Sequence, residues 1–321
     1  MTFLIPTPEQ ARAGLRAMKT VLTVTGPLEP VRRESIAAVQ RHLLRTDYDL
    51  DALEPITPAE LAAAIGDPAL RNQLIGGMVT IALTSDHAEP KELALIESFA
   101  AALGVRPSAV EQLRRLNEER FVTLRFDVAR RGLAGVAIRQ LYEDQGFMGV
   151  VKNVASFAGL WENSELAARY HALEHYADGT LGKQLWRFYK SNNFAFPGDK
   201  HGAPEALLPH DLSHVLGDYG TDLIGEGLVL AFQAGYRNHD PFSVLVFLLL
   251  NAQHGLKLTP FADPEKRFYH ERPGAIDDVV RSFARGSKVK VDLTDHWDFW
   301  AVMDRPIEEL RREYGIEPWN A

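Results

Sequence analysis

An all-α fold is what this 321-residue sequence predicts, and three observations carry the prediction. Apolar residues recur at helical spacing in almost every periodic segment. Helix start and stop signals punctuate the first third of the chain. No long run of β-branched residues alternates with polar ones, and one brief strand at Lys288-Val289-Lys290-Val291 is the most that the pattern allows.

The elements follow in order. A helix from Val31 to Arg45 presents Ile36, Val39, Leu43 and Leu44. Thr57-Pro58-Ala59-Glu60 is a capping box with proline at the first helical position. Asp67-Pro68 opens the next helix, which runs through Leu70, Leu74, Ile75 and Met78 toward Leu83. Pro90 to Leu103 is amphipathic and stops at Gly104, and Pro107-Ser108 opens another helix. Arg114 to Arg131 is dense in charge, which suits a solvated helix face at the connection between two domains, with a boundary between about residue 110 and residue 150. Gly132, Gly135, Gly146 and Gly149 then interrupt an apolar stretch, either as a flexible cover over a pocket or as close helix contacts. Phe242 to Leu250 is apolar on all sides, as a buried helix is, with a ligand tunnel along one side as the functional alternative.

The formal charge of -8 argues against nucleic acid as a partner, because phosphate binding needs a basic face. The absence of cysteine excludes disulfides, thiolate nucleophiles, iron–sulfur clusters and cysteine-ligated zinc, and suits an intracellular protein. Met1-Thr2-Phe3-Leu4-Ile5-Pro6 is too short an apolar run for a signal peptide. The longest apolar run, Phe242 to Leu250, falls well short of the roughly twenty residues a bilayer span needs. The expected location is cytoplasmic, with at most a peripheral contact on the inner face of the membrane.

The chemistry concentrates in His210-Asp211-Leu212-Ser213-His214 and, beyond a Gly217-Asp218-Tyr219-Gly220 turn, Glu226. Residues four apart share a helix face, so His210 and His214 point the same way. Asp211, about 100° further round, can lean toward the same point. Glu226 falls in the first turns of a second helix. Two imidazoles and two carboxylates suit zinc with an open position, or a facial-triad iron(II). The bland alternative is a hydrogen-bonded helix pair with a solvated glutamate.

The motif resembles the signature of the Coq4 family of coenzyme Q (ubiquinone) biosynthesis proteins. Gly179-Thr180-Leu181-Gly182 resembles that family's GTLG turn, and His214 to Thr221 continues the motif as the family does. Arg305-Pro306-Ile307-Glu308-Glu309-Leu310 through Ile316 is similar to its closing helix. The resemblance covers roughly residues 160 to 317. It implies an all-helical fold, and a divalent metal on His210, Asp211, His214 and Glu226, most simply zinc, with iron(II) or magnesium as alternatives. It also implies an apolar channel for a polyprenyl tail, and loss of a carboxyl group coupled to hydroxylation at ring carbon 1 of a prenylated benzoquinone precursor. The long N-terminal region and Arg237-Asn238-His239-Asp240-Pro241 depart from the family, which bears on the substrate.

Ala82 to Glu92, followed by Phe99-Ala100-Ala101-Ala102-Leu103-Gly104-Val105, is similar to the TerB-like (tellurite-resistance B) helical module, which places an acidic turn between two helices. A plain hairpin whose acids cap the second helix is the alternative. The expected organisation is an N-terminal extension (1–30), a TerB-like helical domain (31–130) with an interaction role, and a Coq4-like metal and prenyl-lipid domain (150–321).

Three rival features remain. His171-Ala172-Leu173-Glu174-His175 reads HxxEH, the inverted zinc-protease motif, which would make the protein a metallohydrolase. Against it, Tyr176-Ala177-Asp178-Gly179 ends the helix at once. His239 and Asp240 precede a helix, with Asp240 expected to cap it, Pro241 to start it and a contact behind the metal as the alternative; His254 reads as a histidine at a helix end. Lys200 and His201, in a Gly- and Pro-rich loop ahead of the motif, are candidates for substrate contact.

The leading expectation is metal-dependent chemistry on a prenylated aromatic or quinone precursor, an oxidative-decarboxylase type of lyase, with other quinone-biosynthesis proteins as candidate partners. Nothing supplies a flavin or nicotinamide site, since no GxGxxG follows a strand. The rival from another class is a non-catalytic, metal-dependent prenyl-lipid scaffold.

Overall fold

The computed structural model describes residues 3–85, 89–157, 162–258, 264 and 271–319. The all-α expectation holds: no β-strand occurs among the described residues, and Thr180 and Pro306 form an isolated bridge. The N-terminal helices are α1 (Pro8–Leu22), α2 (Pro30–Val39), α3 (Pro58–Ala64), α4 (Pro68–Ala82), α5 (Pro90–Leu103), α6 (Ser108–Asn117), α7 (Phe121–Arg131) and α8 (Leu133–Phe157). They are followed by α9 (Ser164–His171), α10 (Leu181–Ser191), α11 (Leu208–Gly217), α12 (Leu223–Tyr236), α13 (Pro241–Ala252), α14 (Ala275–Gly286) and α15 (Ile307–Tyr314).

Local chemistry explains most boundaries. Thr57 and Glu60 close the expected capping box, Asp67 accepts from Ala69 N–H and Leu70 N–H, and Gly104 ends α5 at φ 68°. The helix expected over Val31–Arg45 changes geometry on the way: α2 gives way at Gln40 to a π-helical turn that Arg45 stops at φ 53°. The brief strand expected at Lys288–Val291 does not form. Those residues leave α14 in a turn, and Lys290 N–H donates to the Tyr314 carbonyl at 2.9 Å. Asp240 does not cap α13 with its side chain. It sits at φ 48°, and its carboxylate instead accepts from the Ser108 hydroxyl at 2.7 Å and faces Arg131 at 3.5 Å. In the stretch expected to resemble the TerB-like module, α4 and α5 pack together, and buried Glu92 pairs with buried Arg32. The acidic turn at Asp86-His87-Ala88 lies outside the described residues.

Two cores organise the chain. One is built from α1 to α7 together with Val246, Leu248, Leu249, Leu250 and Ala252 of α13 and Ile276 of α14. The other gathers Tyr170, Leu185, Tyr189, Leu212, Leu216, Phe232 and Leu310 from α9 to α12 and α15. A small cluster of Ala231, Ala234, Val244, Leu245 and Phe283 joins them. The all-round apolarity of α13 has its physical reason here: it packs on α12 and also on α4. α12 and α14 cross backbone to backbone. A Cβ on Gly286 would lie 2.0 Å from the Phe232 carbonyl oxygen, and one on Gly235 would lie 2.3 Å from that of Phe283. No helix among the described residues is long and apolar enough to cross a membrane.

Candidate metal centre

The turn between α11 and α12 sets the site. Asp218 adopts φ 58°, Tyr219 N–H returns to the His214 carbonyl at 3.1 Å, and Asp222 caps α12 by accepting from Gly225 N–H. α12 therefore begins beside the end of α11, and Glu226 in its first turn faces the histidine face of α11.

His210, His214 and Glu226 converge. Nε2 of His210 lies 3.2 Å from Glu226 Oε2, Nε2 of His214 lies 3.4 Å from Glu226 Oε1, and the two Nε2 atoms are 3.3 Å apart. The two contacts to Glu226 run to different carboxylate oxygens, and one ligand atom from each of the three residues lies within 4.8 Å of the others, close enough to surround a single ion. Buried His214 and half-buried His210 form the floor, while Glu226 is 41% exposed, so the open side faces outward.

The outer faces of both rings are held by acceptors. His214 Nδ1 faces the Tyr219 carbonyl at 3.3 Å, which can only accept, so this nitrogen carries the proton. His210 Nδ1 faces Gln233 Oε1 at 3.1 Å. That amide is oriented by its other end. Ser213 spends its one hydroxyl proton on the Pro209 carbonyl at 2.6 Å, so it accepts from Gln233 Nε2 at 3.2 Å and from Tyr236 OH at 2.8 Å. Each ring thus donates from Nδ1 and turns Nε2 inward, so that Nε2 is the nitrogen whose lone pair a metal would take once any proton on it is lost, the arrangement that outer partners impose on metal-binding histidines.

Charge reinforces the grouping. Burial alone would lower His210, but the Glu226 carboxylate overrides it and raises His210 to about 9. Burial raises Glu226, yet hydrogen bonds from the two histidines bring it down to about 2. His210 and Glu226 thus form a charged pair, in a group of three that could hold a metal ion.

Asp211 stands apart from the three converging residues. Its carboxylate accepts a hydrogen bond from the Tyr189 hydroxyl of α10. Burial raises Asp211, the histidines opposing it, and burial together with the Asp211 charge lifts Tyr189 well above the phenol range. Beside the triad runs an aromatic wall. Phe188 stacks on His214 at 5.6 Å, and half-exposed Phe194 meets Phe188 edge-on at 5.9 Å.

The two outlying stretches of the Coq4 resemblance meet each other. Leu181 N–H and Gly182 N–H donate to the carbonyls of Arg305 and Met303, and Ile307 N–H donates to that of Gly179. The rival sites separate. α9 ends at His171 and a 3-10 turn carries Ala172–His175, so the HxxEH histidines do not share an α-helical face; His171 pairs with Asp199 at 3.1 Å instead. Lys200 and His201 are exposed, with Lys200 3.9 Å from Glu162. His239 is exposed, and His254 faces the Leu83 carbonyl at 3.0 Å.

An apolar cavity of about 140 Å³ does lie along α13, bordered by Phe242, Leu245, Leu248 and Leu249. Its other walls are Leu15 and Met18 of α1, Leu74 of α4 and Phe283 of α14, and none of the four motif residues borders it. The tunnel expected to start at the metal is therefore not this cavity: α13 presents it to the N-terminal helices and turns its other side to α12. Comparison with protein-family models, with curated proteins and with solved structures gave no match.

Proposed function

We propose that the chain is a metal-dependent enzyme acting on a prenylated aromatic or quinone precursor. The observation that carries the reading is the convergence of His210, His214 and Glu226, with both Nδ1 atoms already committed to acceptors. The two-imidazole, one-carboxylate set suits zinc with an open position, as it also suits iron(II). A bound ion supplies Lewis-acid stabilisation of negative charge on a carboxylate or phenolate oxygen at its open side. Phe188 and Phe194 offer an apolar flank to an aromatic ring next to that side. The Tyr189–Asp211 pair, protonated at neutral pH on the phenol, backs the site from α10.

The substrate class rests on the resemblance of the motif, its following turn and the closing helix to the Coq4 family. Replacing the carboxyl group by hydroxyl is a two-electron oxidation: the C1–carboxyl bond breaks with release of CO2, the C1–O bond forms, and dioxygen takes the two electrons, so that the acid, O2 and water give the phenol, CO2 and H2O2. Zinc, which has no redox chemistry, cannot take those electrons itself. The cavity beside α13 has the apolar lining a hydrocarbon needs, but its position separates it from the triad. The test has two parts. Elemental analysis of protein purified without chelator should find about one divalent ion per chain, lost in His214→Ala. Incubation of that protein with a prenylated 4-hydroxybenzoate under air should release CO2 and yield the ring-hydroxylated product. Metal without turnover would replace the enzyme with a lipid-binding scaffold, and full metal retention in His210→Ala/His214→Ala would remove the site altogether.

A further inference from the structure

The hairpin of α7 and α8 carries a set of exposed apolar side chains that no other element among the described residues covers. Leu124 and Val128 on one side of α7 are fully buried in the N-terminal core. Val122 and Phe126, on another side, are 81% and 71% exposed. α8 is interrupted at Gly146, whose φ of 67° and ψ of -172° break the helix into two segments. The first segment exposes Ile138 and Tyr142, and the second exposes Phe147, Met148 and Val151. Val122/Phe126, Ile138/Tyr142 and Phe147/Val151 are each four residues apart, so each helical segment presents an aromatic–aliphatic pair on one face. Isolated exposed apolar residues need no explanation, but a run of this density on two packed helices does.

Charge selects the occupant. Of the 35 basic and 43 acidic residues in the chain, only Arg120, Arg125, Arg130, Arg131, Arg139 and Lys152 and only Asp127, Glu143 and Asp144 fall between residues 120 and 152. This stretch is net positive in a chain whose formal charge is -8. Arg125 and Arg139 are exposed and stand next to Phe126 and Ile138 in sequence. Two copies meeting through this face would bring like charges together, because a twofold interface sets a patch against itself. An anionic bilayer surface meets both demands, taking the apolar side chains below the headgroups while arginines reach back to phosphates. No described helix can cross a bilayer, so the hairpin would lie on it.

We propose that the α7–α8 hairpin docks the protein on an anionic lipid surface. α8 also packs on the Glu205–Leu207 turn that leads directly into α11, so docking would hold the metal-bearing helix close to the bilayer. The surface lies outside the stretch on which the proposed function rests, and its test uses no turnover.

The experiment is co-sedimentation of the full chain with phosphatidylcholine vesicles, with and without phosphatidylglycerol. Binding should need the anionic lipid. It should fall at least about tenfold in Arg125→Glu/Arg139→Glu, since each basic side chain near an anionic surface contributes roughly fivefold. It should also fall at least about tenfold in Phe126→Ser/Phe147→Ser/Met148→Ser, whose sites are exposed, with unchanged thermal unfolding as the control for folding. A Phe147→Trp variant supplies an independent readout: relative to the wild type, its added emission should shift to the blue with anionic vesicles and be quenched by brominated acyl chains. Wild type left in the supernatant with both vesicles overturns the proposal. So does undiminished binding by the serine variant, an unshifted Phe147→Trp emission, or a wild-type dimer that the serine variant converts to monomer, which would assign the face to a second copy.

Discussion

Replacing Gln233 by leucine tests whether the metal centre is built from the outside in. Gln233 is fully buried, and its amide is the acceptor for His210 Nδ1–H. Leucine has nearly the same volume and no acceptor, so the metal-free protein is left with an unpartnered buried N–H, at a cost of about 1–3 kcal/mol. The effect on binding is separate. Without Gln233, His210 can place its proton on Nε2 or rotate, and part of the population no longer offers a lone pair to the ion. Outer partners of this kind are typically worth 10–100-fold in metal affinity, or about 1.4–2.8 kcal/mol at roughly 1.4 kcal/mol per tenfold. Zinc affinity measured by competition with a chromophoric chelator should therefore drop by that factor. Gln233→Glu, which keeps an oxygen against Nδ1, should hold or improve it. Thermal unfolding without metal reads the first effect alone. If Gln233→Leu binds zinc within about twofold of wild type, some other contact orients His210 and the tautomer argument is refuted.

Four further outcomes follow from the same geometry. With His210 raised to about 9, zinc binding at neutral pH should release about one proton from it, read by calorimetry in buffers of different ionisation enthalpy, and affinity should climb about tenfold per pH unit until pH approaches 9. In the metal-free protein, the His210 contribution to stability is complete below its ordinary value of 6.5 and is lost as pH rises through about 9, while that of Glu226 is complete above 4.5 and is lost as pH falls through about 2; denaturation midpoints should be highest between 4.5 and 6.5. Asp211→Asn should weaken zinc binding far less than Glu226→Gln, because Asp211 faces Tyr189 and Glu226 faces both histidines; equal losses would place Asp211 in the ligand set. Gly286→Ala puts a methyl 2.0 Å from the Phe232 carbonyl, so unfolding should show a loss of about 1–3 kcal/mol or more, with weakened metal binding as α12 is displaced.

The sequence made the helices legible where their ends carry chemistry, as at Thr57, Asp67, Pro90 and Gly104, and it made the shared face of His210 and His214 legible because a four-residue spacing has one meaning on a helix. Glu226 was within reach for the same reason: a turn after His214 could only send the next helix back alongside. What escaped depends on distance in the chain. Tyr189 reaches Asp211 from a separate helix, and no local pattern announces such a pairing. Gln233 did leave a signal, seven residues beyond Glu226 and so on the same face two turns later, but a glutamine in an apolar helix reads as an interruption until its partner is seen. Asp240 misled for a related reason. Asp-Pro before an apolar run is a strong local capping pattern, and a tertiary contact with Ser108 outcompeted it.

The position of α13 also decides how the two ends of the chain depend on each other. Its apolar residues fill the N-terminal core, and α14 beside it packs on α2, so the helices downstream of Glu226 are held from the N-terminal side. α12, which carries Glu226 and Gln233, is in turn clamped to α14 by the crossing of Gly235 and Gly286, where carbonyls leave no room even for a methyl group. The candidate metal centre therefore has two supports of different kinds. The α11–α12 turn fixes the ligands relative to each other, and the α12–α14 crossing fixes α12 relative to a core that the N-terminal helices complete. A close-packed interior transmits displacement rather than absorbing it. A change that loosens α4 or α2 thus reaches Glu226 through α13 and α14 without touching any ligand, and the N-terminal helices belong to the physical definition of the site although none of them contributes a ligand to the triad.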